Sequence, residues 1–210
     1  MSTSKTLRTG SPQKRSAILL AARELFVTDG FDRSSVDAIA ALAGVSKRTV
    51  YDYFGDKQTL LRAVFDGLGQ SLLATIRSTL DDTLGDVAAA DQLEPALIDF
   101  SMRIANDWLD SADYATLQGL ARTDSERLPS SKDSPLSDEP EEAIGARFAT
   151  LADAGLLEVP DARLAADHYI GLTFAATINR LGTANAAADS RVQPLIVAGV
   201  RAFLRAYRVG

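Results

Sequence analysis

The sequence of 210 residues predicts an all-α protein, and three observations carry that reading. Apolar residues recur at spacings of three and four from Ile18 to Tyr207, no stretch alternates apolar and polar at period two, and Gly, Pro, Ser and Asp stand where helices must begin and end. Hydrophobic content of 46% and charged content of 24% suit a chain that buries a core as one large or two small domains.

The first helix is expected over residues 13–28, with Ile18, Ala22, Leu25 and Phe26 as its buried stripe. Lys14 and Arg15 fall in its first turn, where the helix dipole disfavours cations and a nearby phosphate would compensate. Gly30 and Phe31 turn the chain into a second helix that starts at Ser34 or Ser35 and carries Val36, Ile39, Ala40 and Ala43 inward. Gly44 can close it in the left-handed conformation, and Ser46 can cap the next.

That third helix is short, because Gly55 ends it and Asp56 can cap a longer successor. At about 100° per residue, Val50 and Phe54 point inward while Lys47, Arg48 and Tyr51 face the other way, with Thr49 and Tyr53 along an edge. An ordinary solvated helix would also show this pattern. Two cations, a phenol and hydroxyls on two turns nevertheless have the width and chemistry of a DNA major groove. Two short helices joined by a Gly-containing turn make a helix-turn-helix, with the second as reader.

On these residues the sequence resembles the TetR family of transcriptional regulators. The matching residues run from Ala17-Ile18-Leu19-Leu20-Ala21-Ala22 through Leu25-Phe26, Gly30-Phe31 and Val36-Asp37-Ala38-Ile39-Ala40 to Gly44-Val45-Ser46, Tyr51, Tyr53-Phe54 and Lys57. They cover about the first quarter of the chain. Arg48 stands where the family often has Gly, and Tyr53 where it often has His; these departures bear on the operator sequence and not on the fold. The set expected to touch DNA is Ser35, Ser46, Lys47, Arg48, Thr49, Tyr51, Tyr53 and Lys57. Arg48 has the planar fork for a bidentate contact to guanine. Asp52, one turn on, either orients that guanidinium or accepts from cytosine. Ser35, Thr49, Tyr51, Tyr53 and Lys57 are expected on phosphates, by resemblance and by donor type.

Charge is unevenly placed. The whole chain carries −6, yet up to Lys57 nine bases face six acids, so this segment is at +3 and the remainder at −9. Such asymmetry suits a protein with one end turned to nucleic acid. Met1 to Ser11 is polar and basic without the apolar stretch of a signal peptide, there is no Cys, and no apolar run would span a bilayer. A soluble cytoplasmic protein is expected.

From Asp56 a helix is expected to about Leu80, with Leu60, Leu61, Val64, Leu68 and Leu72 inward, leaving the N-terminal module as a connecting strut. Pro95 suits a helix start, followed by Leu97, Phe100, Ile104 and Trp108 on one stripe and Ile98, Met102, Ala105 and Leu109 on another. A shorter helix is expected around Tyr114, Leu117 and Leu120, then a Ser/Pro/Asp-rich loop from Leu128 to Pro140. Pro140 opens a helix through Ile144, Phe148 and Leu151 that Gly155 ends. After Pro160-Asp161 comes a helix with Leu164, His168, Leu172 and Ala175 on one face and Ile170, Phe174, Ile178 and Leu181 on another. Beyond a loose stretch from Gly182 to Ser190, Pro194 starts the last helix, with Ile196, Val200, Phe203, Leu204 and Tyr207 aligned.

Catalytic chemistry finds little support. His168 is the only His, no glycine-rich phosphate loop or metal-ligand spacing occurs, and the acid pairs Asp81-Asp82 and Glu141-Glu142 sit at helix edges, where solvated charge explains them. No active site, metal or cofactor is expected.

The expected architecture is therefore an N-terminal three-helix helix-turn-helix domain, residues 1–57, and a C-terminal helical bundle for ligand binding and dimerisation, residues 58–210. The expected function is a homodimeric regulator, most often a repressor in proteins of this resemblance, that binds a palindromic operator and is released by a small-molecule effector. Two alternatives are a helical small-molecule-binding protein without a DNA-binding role, against which the basic third helix argues, and a helical-bundle enzyme, which lacks catalytic groups. Phe100, Ile104, Trp108, Tyr114, Phe148, His168 and Phe174 are the candidate effector contacts, as the aromatic and polar groups of the bundle helices. By the resemblance the last two helices pack against their copies, which nominates Leu172, Ala175, Ala176, Val200, Phe203 and Leu204 for the dimer seam.

Overall fold

The structure is a computed structural model that describes residues 11–109, 111, 113–114, 116, 119–120, 138–181 and 189–209, and of Trp108 and Leu109 only the backbone. Leu117, residues 128–137 of the expected loop and residues 182–188 lie outside the described residues. The chain is all-α. In order come α1 (Pro12–Thr28), α2 (Val36–Leu42), α3 (Lys47–Phe54), α4 (Lys57–Leu84) and α5 (Leu93–Ile104), which runs on into a π turn (Ala105–Leu109). Next come α6 (Glu139–Asp153), then α7, built of Ala162–Ile170, a π turn (Gly171–Ala175) and Ala176–Leu181, and last α8 (Val192–Tyr207). Among the described residues no helix is long and apolar enough to cross a membrane.

Local chemistry sets the ends. Ser35, Ser46, Asp56 and Asp161 each accept a backbone N–H with a side-chain oxygen, at 3.0, 3.1, 2.6 and 3.0 Å, and so cap α2, α3, α4 and α7. Gly44 has φ 65° and lets the chain leave α2 with two reversed bonds, Gly44 N–H to Ala41 at 3.2 Å and Val45 N–H to Ala40 at 2.9 Å. α5 begins two residues before Pro95. Pro fits there because the third residue of a helix has no intrahelical use for its N–H.

Two compact units result. One includes α1, α2, α3 and α4 as far as Gly69. Its core is Ile18, Ala22 and Phe26, Ile39 and Ala40, Val50 and Phe54, and Leu60, Leu61, Val64 and Leu68, with Leu120 added from the later chain. The other takes α4 from Gln70 and includes α5 to α8. Its core joins Ile76, Leu80, Leu97, Phe100, Phe148, Tyr169, Ile196 and Phe203. The aromatic rings pack in specific ways. Phe148 stacks on Phe203 at 4.9 Å, and Tyr169 meets both edge-on at 5.3 and 5.1 Å.

α7 corrects the sequence reading. The face with Leu164, His168 and Leu172 is exposed, with Leu164 at 47% and Leu172 at 39%. Ala165, Ala166, Tyr169, Thr173, Phe174 and Thr177 are the buried residues, so of the two expected faces only the one with Ile170, Phe174, Ile178 and Leu181 turns inward. Small residues let helices approach closely, and the two Thr hydroxyls donate back to the Tyr169 and Thr173 carbonyls at 2.6 and 2.8 Å. The crossing with α8 is tight, since a Cβ added at Gly199 would lie 2.2 Å from the Leu172 carbonyl oxygen.

Candidate nucleic-acid interface and ligand cavity

α3 presents the face the sequence implies. Val50 and Phe54 are buried, whereas Lys47, Arg48 and Tyr51 are exposed and Thr49 and Tyr53 half-buried. The Arg48 side chain is 89% exposed and lies 3.8 Å from Asp52, one turn on. Such a pair orients the guanidinium weakly and leaves its fork open. The Lys47 ammonium donates to Asp37 at 2.8 Å, and this bond, followed by the attraction of the same carboxylate, raises its pKa. Ser46 and Thr49 share a hydroxyl bond of 2.8 Å.

Two expected phosphate anchors also have partners within the fold. The Tyr53 hydroxyl donates to the Ser11 carbonyl at 3.2 Å, at the start of α1. The Lys57 ammonium donates to the Phe31 carbonyl and sits over the Phe31 ring. Ser35 accepts the α2 capping bond and stays exposed.

The second unit holds a cavity of about 270 Å³ between α4, α5, α6 and α7. Leu72, Ile76, Phe100, Ile104, Ile144, Ile170, Phe174, Ala175 and Ile178 give it apolar walls, joined by Tyr114, Pro140 and Glu141. Both π turns adjoin it: Ile104 precedes the first, and Phe174 and Ala175 lie in the second. Helices broken in this way are frequent at functional sites.

Of the candidate effector contacts, Phe100, Ile104, Tyr114 and Phe174 line this cavity. Phe148 does not, being wholly buried against Phe203 in the core. His168 does not either. It is exposed, its Nδ1 is 2.7 Å from the Tyr207 hydroxyl, and the helical twist carries it away from Phe174. The side chain of Trp108 lies outside the described residues. Glu141 was expected in solvent but belongs to the cavity wall. Its Oε2 is buried with no hydrogen-bond partner among the described residues, and burial, the largest influence, raises its pKa. Its place three and seven residues before Ile144 and Phe148 is the sequence signal for that inward direction.

The dimer candidates divide. Val200 and Phe203 are fully buried in the chain's own core and Leu204 nearly so, which leaves them no surface for a second copy. Ala175 lines the cavity, Ala176 is half-buried, and Leu172 is exposed.

Comparison with known proteins follows the same division. The family model described as bacterial regulatory proteins, tetR family, matches residues 18–64, and that described as AefR-like transcriptional repressor, C-terminal domain, matches residues 107–209; together they take in well over half of the chain. The DNA-binding transcriptional repressor TetR of Mycobacteroides abscessus is 46% identical over 55 residues, 26% of this chain and 29% of that protein. The HTH-type transcriptional activator FasR of Mycolicibacterium smegmatis is 33% identical over 88 residues, 42% of this chain and 40% of that protein. The matches thus span less than half of these relatives' lengths. A solved structure from Mesorhizobium loti MAFF303099, described as a TetR-family transcriptional regulator, has TM-score 0.80 at 25% identity and covers 96% of this chain and 100% of its own. The chain belongs to the tetR family of bacterial regulatory proteins.

Proposed function

We propose that this chain is a DNA-binding transcriptional regulator that acts as a homodimer on a palindromic operator and lets go of it when a small molecule fills the cavity. The observation that carries the reading is the outward face of α3, where Lys47, Arg48 and Tyr51 stand exposed on a helix held by two capped ends and a buried Val50–Phe54 underside. Each subunit places α3 in a major groove, and two-fold symmetry puts half-sites about 34–36 Å apart. Leu164 and Leu172, two turns apart and exposed on α7, supply the apolar stripe for the second copy. α4 is one helix with Leu60 and Leu61 in one core and Leu72 and Ile76 at the cavity, so occupancy acts on the helix that supports the reader. Repression is the proposed sign, in keeping with the C-terminal family description and the M. abscessus relative.

Selection of bound fragments from the source genome tests the reading. The expected product is a family of duplexes sharing one inverted repeat. Recovery of random fragments, with no shared repeat, would overturn it.

A further inference from the structure

Resting on the reading of the cavity as the effector site, we infer that the effector is a lipophilic amine, an apolar body with one protonated nitrogen that pairs with Glu141. Among the described residues the cavity walls are aliphatic and aromatic, and Glu141 is the one residue of Asp, Glu, Lys, Arg or His type lining it. Its Oε2 has lost water without gaining a partner among the described residues. A buried acceptor left in that state costs free energy that a ligand donor recovers.

The surroundings select a positive donor. Asp138 and Asp167 both act on Glu141 as like charges. Arg163 attracts Glu141 more strongly than either Asp repels it, but it is also bonded to those two carboxylates at 2.9 and 3.2 Å. A second anion would stand beside three carboxylates and one guanidinium, whereas an ammonium gains a charge-assisted bond to Glu141 in a partly buried wall. Burial favours the neutral carboxyl, and an ammonium at hydrogen-bond distance draws it back to the charged form.

Size narrows the body. At about 30 Å³ per water-sized heavy atom, a cavity of about 270 Å³ holds roughly nine non-hydrogen atoms. n-Octylamine has that size, and 1-octanol and octanoate are its neutral and anionic counterparts.

Calorimetry of these three probes on the full chain and on Glu141→Gln, which keeps the volume, tests the inference. The wild type is expected to bind octylammonium about tenfold to a hundredfold tighter than 1-octanol, with octanoate weakest. Glu141→Gln is expected to lose that preference while 1-octanol binds as before, which also reports an intact cavity. Equal binding of the three by the wild type, or a preference for octanoate, would overturn the amine and leave the cavity reading standing. Failure of all three to bind would overturn both.

Discussion

The Lys57 ammonium donates to the Phe31 carbonyl and lies 4.2 Å from the centroid of the Phe31 ring. One cation thus ties the first turn of α4 to the loop between α1 and α2. A residue expected to anchor phosphate also braces the unit that carries the reader.

Lys57→Ala is therefore expected to act twice. Loss of the bond and of the cation–π contact should lower unfolding stability by about 1–2 kcal/mol. DNA affinity should fall for all sequences alike, and the salt dependence should flatten by about one unit of slope per subunit if the ammonium also reaches phosphate. Thermal denaturation beside a salt titration separates the two. Lower stability with an unchanged slope would assign Lys57 to bracing alone.

Tyr169 ties the second core together. Its hydroxyl donates to the Leu97 carbonyl at 3.0 Å and meets the Ser101 hydroxyl at 2.5 Å. Complete burial pushes its phenol well above the ordinary 10.0, only partly offset by Ser101. Because the folded pKa is raised, the stability linked to the neutral phenol is fully present below pH 10.0 and drains away as pH rises above it, when the unfolded chain ionises first. Tyr169→Phe should cost about 1 kcal/mol at neutral pH and reduce the alkaline loss. Urea unfolding on both sides of that pH checks both parts; an equally steep loss in the variant would place its cause elsewhere.

The proposed dimer seam sets exposed apolar residues of α7 apart from the buried ones of α8. Leu172→Asp, on the exposed stripe, should leave helical content unchanged and yield monomers with weakened operator binding. Phe203→Asp should unfold the second unit, because it buries a charge between Phe148 and Tyr169. Circular dichroism with sedimentation distinguishes them. A folded Leu172→Asp dimer would move the seam to another surface.

Much of the fold was legible because α1 to α3 obey local rules. Ser46 and Gly55 mark the ends of α3, and Val50 and Phe54 fix its underside. On α7 the face with Phe174 turns inward as expected, but the one with Leu164 and Leu172 does not, because the buried side is completed by Ala165, Ala166, Thr173 and Thr177, whose weak hydrophobicity yields to Leu164 and Leu172 in any periodicity count. Phe203 looked like seam because apolarity alone does not say whether a neighbour belongs to the same chain. Glu141 was missed for a different reason. Charge suggests solvent, and only the packing of α6 against α4 and α7 turns that carboxylate inward.

Arg48 is the most exposed cation of α3, the proposed DNA reader. The most direct measurement is an anisotropy titration of wild type and Arg48→Ala on the selected operator and on a scrambled duplex at one fixed salt concentration. Arg48→Ala is expected to lose about 1–3 kcal/mol per half-site on the operator and far less on the scrambled duplex, so that the two affinities converge. Equal affinity and equal discrimination by the two proteins would contradict it.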